Sequence, residues 1–426
     1  MNARKPPPVQ PTSTVERMRH ASTVDSGAPE TDATIATAAC LTIVHHPDLV
    51  RVGERALLWP MDVGVAVDVS RLEPDFVGEG ATGRPLLDPH LSRRPFSLVR
   101  EADGSIVLAR GAGNEVLVSG EPVSVSRRFS RDLVRDGVLI ELADRVLLLL
   151  SEVALGERAP SLDLVGSSDA LEAVRRGVGR VADLDVPVLL RGETGVGKER
   201  VAHAIHACSR RASIPMVAVN MAALNPTTAA SELFGHARGA FTDAHQRHVG
   251  LFERAHGGTL FLDEIGETPP EIQAMLLRTL ETGKVLAVGD RTEKTVDVRL
   301  IAATDADLEA STRSGAFRAA LLHRLSGFVI HVPPLRQRRE DIALLTVAFL
   351  ANELRAIGEP ERLRAPVEPG RTTPGAPWFP ASLMARLHRC DWPGNVRQLR
   401  NVVRQLVISS RGQPTLREDA SVTAIL

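Results

Sequence analysis

Two stretches of this 426-residue chain carry residue types and spacings suited to phosphate chemistry. The first is GETGVGKE, Gly192 to Glu199, set between the apolar run VPVLL and the helical pattern ERVAHAIHACS. Glycines at 192, 195 and 197, interleaved with Glu193, Thr194 and Val196, let backbone N–H groups turn inward onto phosphate oxygens where a Cβ would obstruct. The N-terminus of the next helix adds favourable partial charge, and Lys198 would reach the β- and γ-phosphates. Glu199 stands where a Ser or Thr hydroxyl ordinarily holds Mg2+, so the metal must lean on other ligands. The second stretch is GGTLFLDE, residues 257–264. An apolar strand ending in two acids puts them at the carboxyl edge of a parallel sheet, where ligands bind. Asp263 would hold Mg2+, directly or through water, and Glu264 would polarise the attacking water as general base. ATP hydrolysis with Mg2+ is the chemistry these two stretches imply. Ring-forming ATPases complete such a site with a neighbour's arginine, and GAFRAALLHRLSG offers Arg318 and Arg324 on a predicted helix.

The surrounding pattern supplies the elements to position them. From about Leu162, strand-like runs (VPVLL, GTLFLDE, VRLIAATD, FVIHVPPL) alternate with helical patterns, which implies a parallel sheet with crossover helices. After Pro333 the pattern turns helical, interrupted by EPGRTTPGAP (368–377), which reads as a surface loop. Upstream, from Leu41 to about Leu150, short Val/Leu/Ile runs separated by Gly, Pro and Asp suggest an all-β sandwich. Residues 1–38, rich in Pro, Ser, Thr and Ala, read as disordered. The expected division is a disordered segment 1–38, a sandwich 39–151, a linker 152–163, an α/β unit 164–335, a helical lid 336–412 and a tail 413–426.

Composition excludes several classes. The chain is 43% hydrophobic and 24% charged, as in soluble globular proteins. Its longest apolar stretch, VLLLLSEVAL (146–155), is too short to span a membrane. Cys40, Cys208 and Cys390 lie far apart, which fits a reduced, cytoplasmic setting. A net charge of −1 gives no push toward nucleic acid.

The motifs GETGVGKE, VAVNMAAL, SELFGHARGAFTDA, GGTLFLDEIGE, DVRLIAATD, FRAALLHRL, VPPLRQRREDI and DWPGNVRQLRN resemble, in this order, those of sigma-54-dependent transcription activators, bacterial AAA+ ATPases. The resemblance implies an α/β AAA+ P-loop ATPase with a C-terminal helical lid, working as a homo-oligomeric ring, a hexamer, on sigma-54 RNA polymerase holoenzyme. It makes Glu199 normal and assigns Asn220 to checking the catalytic glutamate. Asp305 takes the sensor position at the end of the AATN-type strand, and Arg397 the second sensor on the lid. Arg318 and Arg324 match the two trans arginines, and LVGSSDAL, with Val165 and Gly166, the segment that closes over adenine. RGAFTDAH matches the family's GAFTGA loop: Gly239, Ala240, Phe241, Thr242, Asp243 and Ala244 would contact sigma-54. Asp243 replaces the family's Gly and adds a charge beside the contact.

The β region resembles forkhead-associated domains, sandwiches that bind phosphothreonine, through VSRLEP, DPHLSRRP and NEVLVSG. By that likeness Arg71, Ser92 and Arg93 would contact phosphate and Asn114 the peptide backbone, although Pro95 and Ser119 depart from the usual His and Asn. The implied function is an ATP-driven remodeller of sigma-54 polymerase switched by a phosphopeptide-sensing domain. The alternatives are a phosphopeptide adaptor whose ATPase module remodels nothing, or a remodeller of another client. Family members commonly end in a helix-turn-helix. The 14 residues after Gly412 are too few for one, so promoter DNA is an indirect partner at most by this reading.

Overall fold

The computed structural model describes residues 37–426 except 59, 60, 79, 243, 365–374 and 376. Most of the segment expected to be disordered, Asp243, and all but Gly375 and Pro377 of the EPGRTTPGAP segment lie outside the described residues.

Ten strands build the N-terminal region: β1 (Thr37–His45), β2 (Arg55–Leu57), β3 (Ala66–Val69), β4 (Phe96–Arg100), β5 (Ile106–Arg110), β6 (Val116–Val118), β7 (Glu121–Pro122), β8 (Ser126–Phe129), β9 (Val138–Leu142) and β10 (Val146–Ala154). A short helix, α1 (Arg131–Asp136), joins β8 to β9. Two antiparallel sheets result, β2-β1-β10-β9-β6-β7 and β3-β4-β5-β8. Leu41, Ile43, Leu148 and Leu150 of the first pack against Phe96, Leu98, Leu108 and Phe129 of the second, which is the expected sandwich. β1 opens at Thr37 and β10 continues to Ala154, so the strands extend past the expected boundaries on both sides.

Strand alternation sends Val44, Leu139, Leu147 and Leu149 to the opposite face of the first sheet, where they join a second core with the helical lid. This explains why VLLLL shows no polar alternation. A strand buried on both faces reads as a continuous apolar run.

The α/β region contains α2 (Asp169–Val181), β11 (Val188–Arg191), α3 (Lys198–Ala207), β12 (Val217–Asn220), α4 (Ala229–Phe234), α5 (Leu251–Arg254), β13 (Thr259–Asp263), α6 (Pro270–Thr282), the hairpin β14 (Lys284–Leu286) and β15 (Glu293–Thr295), β16 (Arg299–Thr304), α7 (Leu308–Arg313), α8 (Ala319–Leu325) and β17 (Phe328–His331). Its sheet, β12-β13-β16-β11-β17, is parallel throughout. Val188, Leu190 and Phe261 face α2 and α3, while Leu189, Leu260 and Leu262 face α6 and α8. Covering both faces demands the apolar strands seen in the sequence.

The lid consists of α9 (Glu340–Ile357), α10 (Ala381–Arg389) and α11 (Asn395–Ser409), followed by α12 (Ala420–Ile425). Gly358, at φ 79°, ends α9 in the left-handed conformation that a Cβ disfavours. The segment read as a tail folds back: Val422 is buried in the lid core, with Leu416 and Leu426 beside it.

Candidate nucleotide site

Parallel register brings the carboxyl ends of four strands into one row. Asn220 pairs with Asp263, Leu262 with Ala302, and Arg191 with Thr304. Asp263 shares strand parity with Phe261, whose ring packs among residues of α3, so its carboxylate belongs to the phosphate-loop side of the sheet.

The loop leaves β11 and enters α3 through Gly195 and Gly197, both at positive φ (79° and 105°). A Cβ on Gly195 would lie 2.5 Å from the Gly394 carbonyl, so the lid turn presses directly on this loop. Lys198 is buried and its Nζ donates to the Gly192 carbonyl at 2.8 Å, 3.9 Å from Glu264 Oε1. Glu199 is exposed on the first turn of α3, with His203 as its nearest partner at 3.9 Å. Burial pushes the Asp263 carboxyl above its ordinary range. It does the same to Glu264, where Lys198 opposes the shift and the charges of Asp305 and Asp263 reinforce it. Glu264 also sits at φ 53°, a left-handed backbone uncommon for a side-chain-bearing residue. Asp305 accepts from Thr194 Oγ1 at 2.5 Å, and that bond holds it below the usual carboxylate range.

Converging carboxylates around one lysine, beside a cradle of backbone N–H groups, are a donor set suited to Mg2+ and a triphosphate. Among the described residues no group of three or more His, Cys, Asp or Glu forms a metal cage.

Of the remaining expected residues, Asn220 is exposed at the end of β12 and its side chain accepts from Ala222 N–H, capping the next turn. Arg397 joins the site through the lid, its N–H donating to the Gly195 carbonyl. Val165 is exposed, and Gly166 approaches Asp341 so closely that a Cβ would meet its carboxyl carbon at 2.5 Å. Arg318 caps α8 rather than lying within it, and its exposed side chain makes no hydrogen bond or ion pair among the described residues. Arg324 donates to the Leu280 carbonyl of α6 at 2.8 and 3.1 Å. Neither arginine stands among the site's own contacts.

Four residues not singled out individually in the sequence tie the lid to the phosphate loop or to the segment at 167–168. Arg336 grips the Glu193 carboxylate at 2.5 and 2.8 Å, and with Asn395 lowers that carboxyl to a pKa of about 2. Asn395 also donates to the Thr194 carbonyl, Arg338 donates to the Val196 carbonyl, and Asp341 accepts from Ser167 and Ser168 N–H. They sit inside VPPLRQRREDI and DWPGNVRQLRN, but spacing alone does not reveal which side chains reach back.

The loop at 239–244 lies apart from this site, beyond α4. Gly239 N–H donates to the Ala244 carbonyl, and Ala240 abuts Gly289 in the turn after β14. Ala244 is buried, Thr242 exposed, and Phe241 48% exposed with its edge on the His236 ring at 4.9 Å. In the sandwich, neighbouring loops bring Arg71, Ser92 and Asn114 together, with Arg93 exposed beside them. Arg71 donates to the Pro89 carbonyl, Ser92 Oγ to that of Ala112, and Asn114 Nδ2 to that of His90. Asn114 Oδ1 accepts from Ser92 N–H, so both ends of this amide staple its own loops.

Residues 164–331 match the sigma-54 interaction domain family, and residues 371–420 the AAA+ ATPase lid domain. The chain is 45% identical over 260 residues to the DNA-binding transcriptional regulator NtrC of Escherichia coli K12, covering 61% of this chain and 52% of NtrC. It is 44% identical over 294 residues to the nitric oxide reductase transcription regulator NorR1 of Cupriavidus necator, covering 66% and 54%. It thus spans about half the length of these curated relatives. The crystal structure of NtrX from Brucella abortus in complex with ATP is similar at TM-score 0.52 and 38% identity, covering 62% of this chain and 54% of that one. The central and C-terminal regions are therefore an AAA+ P-loop ATPase module of the sigma-54 interaction type.

Proposed function

We propose that this chain, whose residues 164–331 form a sigma-54 interaction domain, hydrolyses ATP to remodel sigma-54 RNA polymerase holoenzyme for open-complex formation. The observation that carries this reading is the convergence of Lys198, Asp263, Glu264 and the Thr194–Asp305 pair at one sheet edge, in a domain that also presents Phe241 on an exposed loop.

The triphosphate lies along the backbone N–H groups of residues 192–198, and Lys198 exchanges its carbonyl partner for phosphate oxygens. Asp263 would hold Mg2+, which supplies charge neutralisation on the phosphates. Glu264 accepts the proton of the attacking water; its raised pKa moves it toward the operating pH, as a general base requires. Asn220, across the register from Asp263, checks that glutamate until nucleotide is placed. Thr194, Asp305, Glu199 and Arg397 complete the pocket, with Val165 and Gly166 against adenine. The unengaged Arg318 serves the neighbouring protomer's γ-phosphate in a hexameric ring, and Arg324 supports the interface. Gly239 to Ala244 carry Phe241 and Thr242 to sigma-54.

In the sandwich, a forkhead-associated-like phosphothreonine clamp formed by Arg71, Ser92, Arg93 and Asn114 regulates the ring. A guanidinium beside a hydroxyl donor suits phosphate recognition. The setting is the cytoplasm. Among the described residues no helix is long and apolar enough to cross a membrane. Asp243 in place of the family's glycine favours a second reading, an AAA+ remodeller of another client. Purified protein with ATP, assayed for open complexes on duplex and premelted sigma-54 promoters, separates the two. Activity on the duplex supports sigma-54 remodelling; ATP turnover without open complexes on either template favours the other client.

A further inference from the structure

The sandwich does more than lie near the ATPase module, because it shares a core with the lid. Val44, Leu147 and Leu149 pack into one cluster with Ile342, Phe379 and Met384. Polar contacts seal the seam. His45 places its two ring nitrogens 2.8 Å from the Arg145 and Phe379 carbonyls, and Arg389 pairs with Glu141 at 2.5 Å.

At one end of this seam Arg55, the first residue of β2, reaches across to two partners. Its Nη2 donates to the Ser167 carbonyl at 2.9 Å, to Ser167 Oγ at 3.0 Å, and to Glu340 Oε2 at 3.4 Å. Ser167 follows Gly166 in the segment assigned to adenine; Glu340 is the first residue of the first lid helix. The next residue, Asp341, holds Ser167 and Ser168 N–H from the lid side. Arg55 therefore bridges both sides of the hinge on which a lid must turn. Among the described residues its Nε and Nη1, both buried, have no hydrogen-bond partner.

We infer that Arg55 couples docking of the sandwich to nucleotide binding, by fixing the adenine segment and the lid helix in one relative position. A contact that favours one hinge state must raise the affinity of whatever ligand prefers that state, and the ligand must strengthen the contact by the same factor. The inference rests on the reading of this site as a nucleotide site and is independent of the client.

The test uses the full chain and fluorescent ADP. Arg55→Gln, which keeps most of the side chain's bulk, speeds ADP release by about 5-fold, the lower end of measured site-to-site couplings. Arg389→Ala breaks only the side-chain pair with Glu141 on the same seam, touching neither Ser167 nor Glu340, and leaves release unchanged. Equal acceleration in both variants, or none in Arg55→Gln, overturns the inference. Wild-type hydrogen exchange needs no variant: amides of residues 53–57 exchange more slowly with ADP bound than without, and identical exchange in the two states overturns it. Failure of the wild type to bind ADP overturns the nucleotide reading, and this inference with it. Binding with unchanged release in Arg55→Gln overturns this inference alone.

Discussion

Asn395 at the head of α11 and Glu193 in the phosphate loop, 202 positions apart, are joined by an Nδ2–H···Oε2 hydrogen bond of 3.1 Å. The same amide accepts from Leu335 N–H at 2.8 Å, and Asn395 is fully buried at φ 52°. Asparagine tolerates that left-handed backbone better than most residues. One side chain thus sets the lid against the loop that binds phosphate.

Asn395→Ala leaves the buried Leu335 N–H without its acceptor and removes two bonds to the loop. A loss of about 1–3 kcal/mol of stability follows. Thermal unfolding with and without ADP checks it: the midpoint falls, and the stabilisation that ADP gives shrinks.

Glu264→Gln removes the base but keeps the shape. ATP turnover drops by about 10²–10⁴-fold while nucleotide binding persists. Arg318→Ala also silences turnover, for a different reason. Mixing the two variants restores part of the activity, because an Arg318→Ala site then receives arginine from a Glu264→Gln neighbour. No recovery in titrated mixtures would sink the trans assignment.

Phe241→Ala abolishes open-complex formation with ATP turnover intact, since the half-exposed ring stands on His236 and not on a residue of the phosphate site. Asp243→Gly keeps or raises activation by removing a charge beside the contact. Promoter melting and phosphate release, read on the same samples, separate contact from catalysis. A Phe241→Ala protein that still melts promoters is incompatible with the assignment.

Acid sensitivity comes from buried histidines of the sandwich and the lid. Burial lowers His45, and lowers His46 and His388 to about 4. A histidine whose folded pKa lies below the unfolded value of about 6.5 contributes stability that is present above that value. It is lost as pH falls from about 6.5 toward 4, at about 1.4 kcal/mol per pH unit per group. His388→Leu, which also removes a buried Nε2 without a hydrogen-bond partner among the described residues, flattens this acid limb. Urea unfolding at a series of pH values from 7.5 to 4.5 reads the slope, and an unchanged slope excludes His388 as a contributor.

Much of the site was legible because its requirements are local. GETGVGKE needs positive-φ backbone at Gly195 and Gly197 within one turn, and strand parity places Asp263, while Glu264, one residue beyond the strand, turns at a left-handed backbone. Arg336, Asn395, Arg338 and Asp341 were not legible as site residues. An arginine or asparagine in a helical block looks alike whether it faces solvent or a loop 140 to 200 positions away.

The sequence by itself therefore determined the phosphate loop, the acidic strand end, the alternation that builds a parallel sheet, and the β-rich character of the N-terminal region. These depend on periodicity and on backbone freedom, which neighbouring residues dictate. Only the tertiary structure decided that the lid closes on Glu193 and Thr194, and that β1, β9 and β10 of one sandwich sheet are buried on both faces. It alone brings Arg55 to the hinge. The run VLLLL at 146–150 announced burial without naming what covers its second face. Apolar burial is non-directional, so its partner emerges only when the chain packs.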